Sequence, residues 1–431
     1  MSLLHSWSLL ATFVAGLVPT SVLASICDEP DLPHRNWNIS SQARLDELSQ
    51  CTTLDGKLYI WPSYEGPFVL QNVQNITGDI WEFPTKEGLV PKVTLIELPD
   101  LRYVTKVSVD MPTLTKFSAP KLISAEGINI YSPVAGSMVD LPTLRSVDDS
   151  ITLRGNFSSI NLNSLQNATS ITICNEECEE PTPESRDALA QELDVDLPSL
   201  ETAGRLIIRG NISSISTPRL QTITWDGLFL DLLSKRPIPL SFPRLHSVET
   251  TMRIEGRVPN LHIPVLRNIT FFTLSTSGPS QPKDFRLLTE SLRILELDGH
   301  FESIDLPNLK SYKYINIKST GPLSCASLSK ELSTHVKSDG SEFECWSPFV
   351  PKYEVMMKSE DKATIIGLAL IALIAAIVFL GKRKRKLCRC SKEVVPCEES
   401  ELSLLARPAT PGDEESDIHR PPYSSNPRSE R

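Results

Sequence analysis

The residues of this 431-residue chain whose types and spacing suggest chemistry are few: two acid pairs, one cysteine pair and a set of aromatics. Asp148-Asp149 and Asp194-x-Asp196 would suit the paired carboxylates of a glycoside hydrolase, one giving a proton and one acting as base or nucleophile. The β-helix enzymes of that kind carry Gly-His-Gly and basic motifs beside their acids, and neither accompanies these. Cys174-x3-Cys178 offers half the ligands of a zinc site, yet no second Cys or His pair accompanies it. The seven histidines are scattered. His246 and His262 lie 16 apart, which is no metal-ligand spacing, and each reads as a surface residue. GxSxG, HExxH, GxGxxG and GxxxxGK[ST] are all missing, so the expectation is a non-enzyme that uses no cofactor and no metal. Tyr59, Trp61, Tyr64, Trp81, Phe83 and Trp225 could stack on sugar rings; packing in the core or the N-terminal cap is the plainer reading.

The organisation of the chain decides what could hold such residues in place. Residues Leu3 to Val18 form an apolar core followed by Ser21-Val22-Leu23-Ala24, a small-residue cleavage pattern, so 1–24 read as a signal peptide. The 19 residues 363–381 carry no charge, about the length that crosses a ~30 Å bilayer core as a helix. Lys382-Arg383-Lys384-Arg385-Lys386 follow at once, whereas Lys358, Glu360, Asp361 and Lys362 precede it in near balance. The positive-inside rule then predicts a single-pass protein with residues 25–346 outside, 347–362 as a linker, and the tail 382–431 in the cytosol. The basic run would lie against anionic lipid. Net charge is −10, of which the tail contributes +2 and the remainder −12, arguing against nucleic acid as partner of the ectodomain. The tail is rich in Pro, Ser and charge, a composition that does not bury a core.

Six cysteines precede the membrane segment: Cys27, Cys51, Cys174, Cys178, Cys325 and Cys345. An even number outside suits disulfides. Pairing of sequence neighbours (Cys27–Cys51, Cys174–Cys178, Cys325–Cys345) is one of about 15 connectivities open to six cysteines. Cys388 and Cys390, beside the inner leaflet, are candidates for palmitoylation or are free thiols. N-x-S/T sequons begin at Asn38, Asn75, Asn156, Asn167, Asn211 and Asn268, none in the tail, which predicts a glycosylated exterior.

Proline locates a repeat. LPxL-like units start at Leu98, Leu141, Leu197, Phe242, Ile263 and Leu306, with weaker copies at Pro120, Ser164 and Pro218. Their spacing is 20–25 residues, except for 34 between Ser164 and Pro198 and 43, or two coils, between Pro264 and Pro307; such a period is the signature of a solenoid. Met111-Pro112-Thr113-Leu114 has the same form but falls off the period. Between the prolines run short alternating segments such as Ile151–Asn156 and Leu206–Asn211, each the pattern of a strand with one face inward. Gly155 and Gly210 then allow a tight corner. Further apolar pieces, 157–160 and 212–215, lead to the next LPxL. No coil of this kind buries its own face, so the array needs neighbours. Short helices are expected near 41–48, capped by Ser40 or Ser41, at 182–193, and at 326–332.

The blocks at the two ends carry a resemblance. Cys27, then Gln42-Ala-Arg-Leu-Asp-Glu-Leu-Ser-Gln-Cys51-Thr-Thr-Leu-Asp-Gly56-Lys-Leu-Tyr-Ile60, resembles the start of receptor L domains. It looks most like the fungal surface proteins of cell-wall organisation, the "extracellular mutant" family and its sporulation-specific relatives. Gly299-His-Phe301-Glu-Ser-Ile304-Asp-Leu306 and the block from Ser324-Cys325 to Phe343-Glu-Cys345 fit the same family. Over residues 27–346 the resemblance implies a mostly β, right-handed β-solenoid of receptor L-domain (leucine-rich-repeat-like) type, a glycosylated surface and a part in wall integrity. One departure stands out. That family usually ends in a Ser/Thr-rich stalk and a GPI signal, whereas this chain has a membrane stretch and a basic tail. The expected function is therefore a non-catalytic plasma-membrane glycoprotein acting in fungal wall organisation, with wall polysaccharide or wall glycoproteins as partners. A surface receptor signalling through the tail is the first alternative, and a membrane-anchored β-helix carbohydrate enzyme the second.

Overall fold

A computed structural model describes residues 25–28, 36–83, 89–175, 191–278, 281–336 and 341–348. All lie in the unit Met1–Val355. The expected signal peptide, the membrane stretch 363–381, Cys388, Cys390 and the tail lie outside the described residues. Among the described residues no helix is long and apolar enough to cross a membrane.

The chain winds as a β-solenoid in which every described strand pairing is parallel. The main ladder stacks one strand per coil, from Ile26–Asp28 at one end to Glu342–Trp346 at the other, within a 19-stranded sheet. Burial alternates along each strand as the sequence pattern requires. Ile128, Ile130, Ile151, Leu153, Ile171, Ile173, Leu206 and Ile208 are all buried. Register places Ile128 on Ile151, Ile151 on Ile171, and Ile171 on Leu206, so each inward residue packs on its counterpart in the next coil.

The LPxL unit is a β-turn. The amide of the last residue donates to the carbonyl of the first in Leu98–Leu101 (3.3 Å), Leu141–Leu144 (3.3 Å), Leu197–Leu200 (3.2 Å) and Leu306–Leu309 (3.2 Å). Both leucines point inward and are buried, while the proline takes the second turn position that its fixed φ suits. In the copy written around Ser164 the turn is Leu162–Leu165, so Asn163 holds the proline's place. Met111–Leu114 closes the same turn (3.2 Å) at the opposite corner of its coil, the corner at which a later coil turns on Gly155. That explains why it falls off the period. Gly155 has φ +146°, and Gly210 at the matching corner has φ +104°.

A feature the repeat did not announce is a bulge near the start of the main strand. The register shifts between Ala125 and Gly127, Val147 and Ser150, Ala203 and Arg205, and Ile223 and Gly227. Such insertions bend a strand, and here they bend successive coils at one place.

A second ladder covers the other side of the coils. It runs from Glu65–Val69 through Lys92–Glu97 and Lys116–Ser118 into the far ends of Ser124–Asp140 and Ser146–Asn161. Beyond that it continues as three separate pairs. These are Leu193–Asp196 with Ile212–Ser216, Leu240–Ser241 with Leu261–His262, and Asp284–Arg286 with Ser303–Asp305. The expected helix 182–193 lies mostly outside the described residues, and its last residue, Leu193, opens a strand instead.

Helix α1 (Gln42–Leu48) buries Leu45 and Leu48 against the first coils. Ser41 is its N-cap residue but makes no side-chain cap bond; Gln42 fixes the helix instead, donating to the Val69 carbonyl at 2.8 Å. Helix α2 (Cys325–His335) is capped by Ser324, whose hydroxyl accepts from the Ser327 amide at 3.3 Å. Cys27–Cys51 and Cys325–Cys345 are disulfide-bonded, one at each end of the coil stack.

Candidate binding face and cleft

Alternation on the main ladder decides where the aromatics go. Leu58 and Ile60 point inward with no exposed surface, so Tyr59 and Trp61 point out. One coil on, Ile80 points inward and Trp81 and Phe83 point out. Register sets Trp81 beside Tyr59. The rings of Trp61 and Phe83 are 4.2 Å apart and those of Tyr59 and Phe83 5.9 Å, while Trp81 is 42% exposed. Tyr64 is thus a core residue, whereas strand period 2 turns these four to the outer face, where Trp81 is exposed and Tyr59, Trp61 and Phe83 pack half-buried on one another. Tyr64 is fully buried; its hydroxyl donates to the Pro67 carbonyl at 2.6 Å, and burial pushes its phenol up to about 12. Trp225 sits in the widest bulge and is 62% exposed, beside a shallow groove that includes Asn167 and Thr202.

One acid of each pair is engaged in a contact of its own. Asp149 pairs with Lys106 at 3.5 Å. Asp194 accepts from the hydroxyls of Ser214 (2.5 Å) and Ser213 (2.7 Å), and these hold its carboxyl below the usual range. That is the wrong direction for a general acid at neutral pH. Glu82, between Trp81 and Phe83 in the chain, escaped sequence reading. Burial pushes its carboxyl up, against the bond it accepts from the Asp110 amide at 2.7 Å.

The cysteine and sequon residues distribute unevenly. Cys174 is disulfide-bonded and buried, and Cys178 lies outside the described residues. Asn38, Asn167 and Asn268 are exposed; Asn75 and Asn156 are half-buried. Asn211, by contrast, is only 6% exposed. Asn167 and Asn268 open equivalent strands of the main ladder, whereas Asn211 follows the Gly210 corner, where chains pack closely.

The structure also brings together two histidines that the sequence leaves apart. His262 and His300, 38 residues apart, line one cleft of about 930 Å³ with Asn260, Gln281, Lys283 and Asp284. The cleft lies where the second ladder breaks, between Leu261–His262 and Asp284–Arg286. His300 Nδ1 lies 3.3 Å from Thr320 Oγ1. Lys283 pairs with Glu302 at 2.9 Å, and Asp284 accepts from the Ser303 hydroxyl at 2.6 Å. The carbonyl oxygen of the Gln281 side chain is buried there without a partner. Among the described residues no group of three His, Cys, Asp or Glu could hold a metal ion. The 38 residues between His262 and His300 fall short of two coil periods, so their spacing gives no signal for this cleft.

No protein-family model matches the chain, and no solved structure matches it. Among curated proteins it is similar to Protein ecm33 of Aspergillus fumigatus, 24% identical over 337 residues that make up 72% of this chain and 79% of that relative.

Proposed function

We propose that this protein is a non-catalytic cell-surface glycoprotein of the receptor L-domain family that acts in fungal cell-wall organisation. The observation that carries this reading is the similarity to ecm33, which spans most of both chains and is accompanied by a long parallel β-solenoid. The end blocks from Cys27 to Ile60 and from Gly299 to Cys345, which resemble that family, form the two disulfide-closed ends of the stack. In this reading the signal peptide 1–24 directs the chain into the secretory pathway and is removed, and the stretch 363–381 holds the protein at the plasma membrane. The solenoid faces the wall, and Lys382–Lys386 lie on anionic lipid. Deletion of the gene in its native fungus should produce hypersensitivity to a wall-perturbing dye. Full-length protein and a version stopped after Lys386 should both cure it. Unchanged sensitivity and wall composition in the deletion strain would overturn the reading.

A second reading, a receptor for a wall polysaccharide that reports through the tail, draws on the outward ring cluster of Tyr59, Trp61, Trp81 and Phe83. Aromatic faces of this kind stack on flat apolar surfaces while the surroundings stay wet. Cure by the full-length form alone would favour it.

A further inference from the structure

We propose that the cleft at the break in the second ladder, lined by Asn260, His262, Gln281 and His300, binds a short segment of a neutral oligosaccharide. The inference deepens the wall reading above and rests on it for the class of polymer the protein meets. The geometry carries it in four steps.

First, the break itself makes room. Where the second ladder is continuous, successive coils pair; between Leu261–His262 and Asp284–Arg286 they do not. Gly278, in the lining, has a φ of +90°, a conformation that L side chains rarely adopt. A volume of about 930 Å³ is in the range of sites that enclose a ligand.

Second, the lining runs along the stack. Asn260 and His262, then Gln281 and Lys283, then His300, then Thr320 come from four successive coils. Coils spaced ~4.8 Å apart give a trough of about 14 Å, which suits an extended chain of sugar rings better than a compact ligand.

Third, the lysine of the lining is bonded to Glu302, whereas the Asp284 carboxylate accepts only from the Ser303 hydroxyl, which carries no charge to offset it. A phosphate or a uronic acid would meet that carboxylate rather than a cation. What remains is an amide, two imidazoles and a threonine hydroxyl, groups that donate and accept in the manner hydroxyl groups need.

Fourth, polar and apolar groups lie side by side in the lining, as the edge and the face of a sugar ring require. The half-buried Leu261 offers apolar surface for the ring C–H groups.

The test uses full-length protein in detergent, trimmed of its own N-glycans. It is titrated calorimetrically with neutral hexaoses of glucose, mannose and N-acetylglucosamine, and with a hexamer of galacturonic acid as the charged control. At least one neutral hexaose should bind, the charged one should not, and His262→Ala with Asn260→Ala should weaken binding tenfold or more. Both positions are exposed, so the fold should survive; His300→Ala, with unchanged thermal unfolding, provides a second variant. Absence of binding to every neutral hexaose, equal binding by the variants, or preference for the acid would overturn the proposal. If wild type cures the deletion strain while nothing binds, the cleft fails and the wall role stands. Binding without any wall phenotype on deletion would reject the wall role alone.

Discussion

A Cβ placed on Gly155 would overlap the carbonyl oxygen of Ser132, the residue opposite it one coil earlier. The corner therefore needs glycine twice, for its φ of +146° and for contact with backbone that has nowhere to go. Gly155→Ala should cost about 3 kcal/mol from strain and overpacking together. Gly66 also has positive φ, +95°, but a Cβ there meets nothing within 4 Å, so Gly66→Ala should cost only about 1 kcal/mol. Urea unfolding of the two variants measures the difference. Equal losses would mean that close stacking at the corner contributes little.

The response to acid follows from carboxylates bonded between coils. Asp100 Oδ1 accepts from Lys121 Nζ at 2.7 Å and Oδ2 from the Asn72 amide at 2.9 Å. The Lys121 bond is the main reason its carboxyl is held below the ordinary range, despite some burial. A carboxyl lowered in the folded state stabilises fully above its unfolded value, about 3.9, and that contribution is lost as pH falls through the folded value. Asp194, lowered by Ser214 and Ser213, has the same sign. The unfolding midpoint should thus drop as pH falls below about 4, and Asp100→Asn should flatten that slope. Glu82 has the opposite sign: burial raises it, so the folded state loses stability as pH rises through its elevated value. Glu82→Gln should remove that loss. Parallel pH profiles for wild type and both variants would contradict these assignments.

What could be read in the sequence, and what could not, divides by the range of the interaction. The LPxL turns are local, four residues closed by one bond, so proline spacing located most of the coils. Strand alternation is local too, yet its consequence for Trp61 and Trp81 depends on which parity faces inward, and rich aromatic content near a cap suggested burial. The bulges leave no fixed residue type: Glu, Gly, Asp, Thr and Trp all occupy them. Met111–Leu114 is a true turn at the other corner, which period counting alone rejects. The cleft required knowing that His262 and His300 stand two coils apart on the same side, and that the second ladder stops between them. Nothing in the spacing of seven scattered histidines states that.

The C-terminal coils are held by a run of phenyl rings. Phe272 packs on Phe285 with centroids 5.2 Å apart, and Phe285 on Phe301 at 6.4 Å. All three are buried. Phe301→Ala should cost about 4 kcal/mol through lost burial and the cavity left behind. Because a solenoid's coils contact only their neighbours, the loss should be local. Hydrogen exchange should quicken in Ser291–Gly299 and Ser311–Ser319 while Ser124–Asp140 stays protected. Faster exchange throughout would show that the coils unfold as one unit.

The last expectation concerns which sequons carry glycans. A glycan on an asparagine needs the side-chain amide in solvent, with room for the first sugar. Asn38, Asn167 and Asn268 meet that condition on outward strand positions. Asn211 does not: it is 6% exposed, and its carbonyl receives the Leu193 amide at 3.0 Å and the Asn175 side-chain amide at 3.1 Å. A sugar there would have to part the strands that meet beyond the Gly210 corner. Enzymatic deglycosylation in heavy-oxygen water, followed by peptide mass spectrometry, marks each occupied asparagine by its conversion to aspartate. The three exposed sites should be marked and Asn211 should not. Full occupancy at Asn211 would mean that the corner is open in the mature protein. An unmarked chain would contradict passage of the solenoid through the secretory pathway, on which the surface role depends.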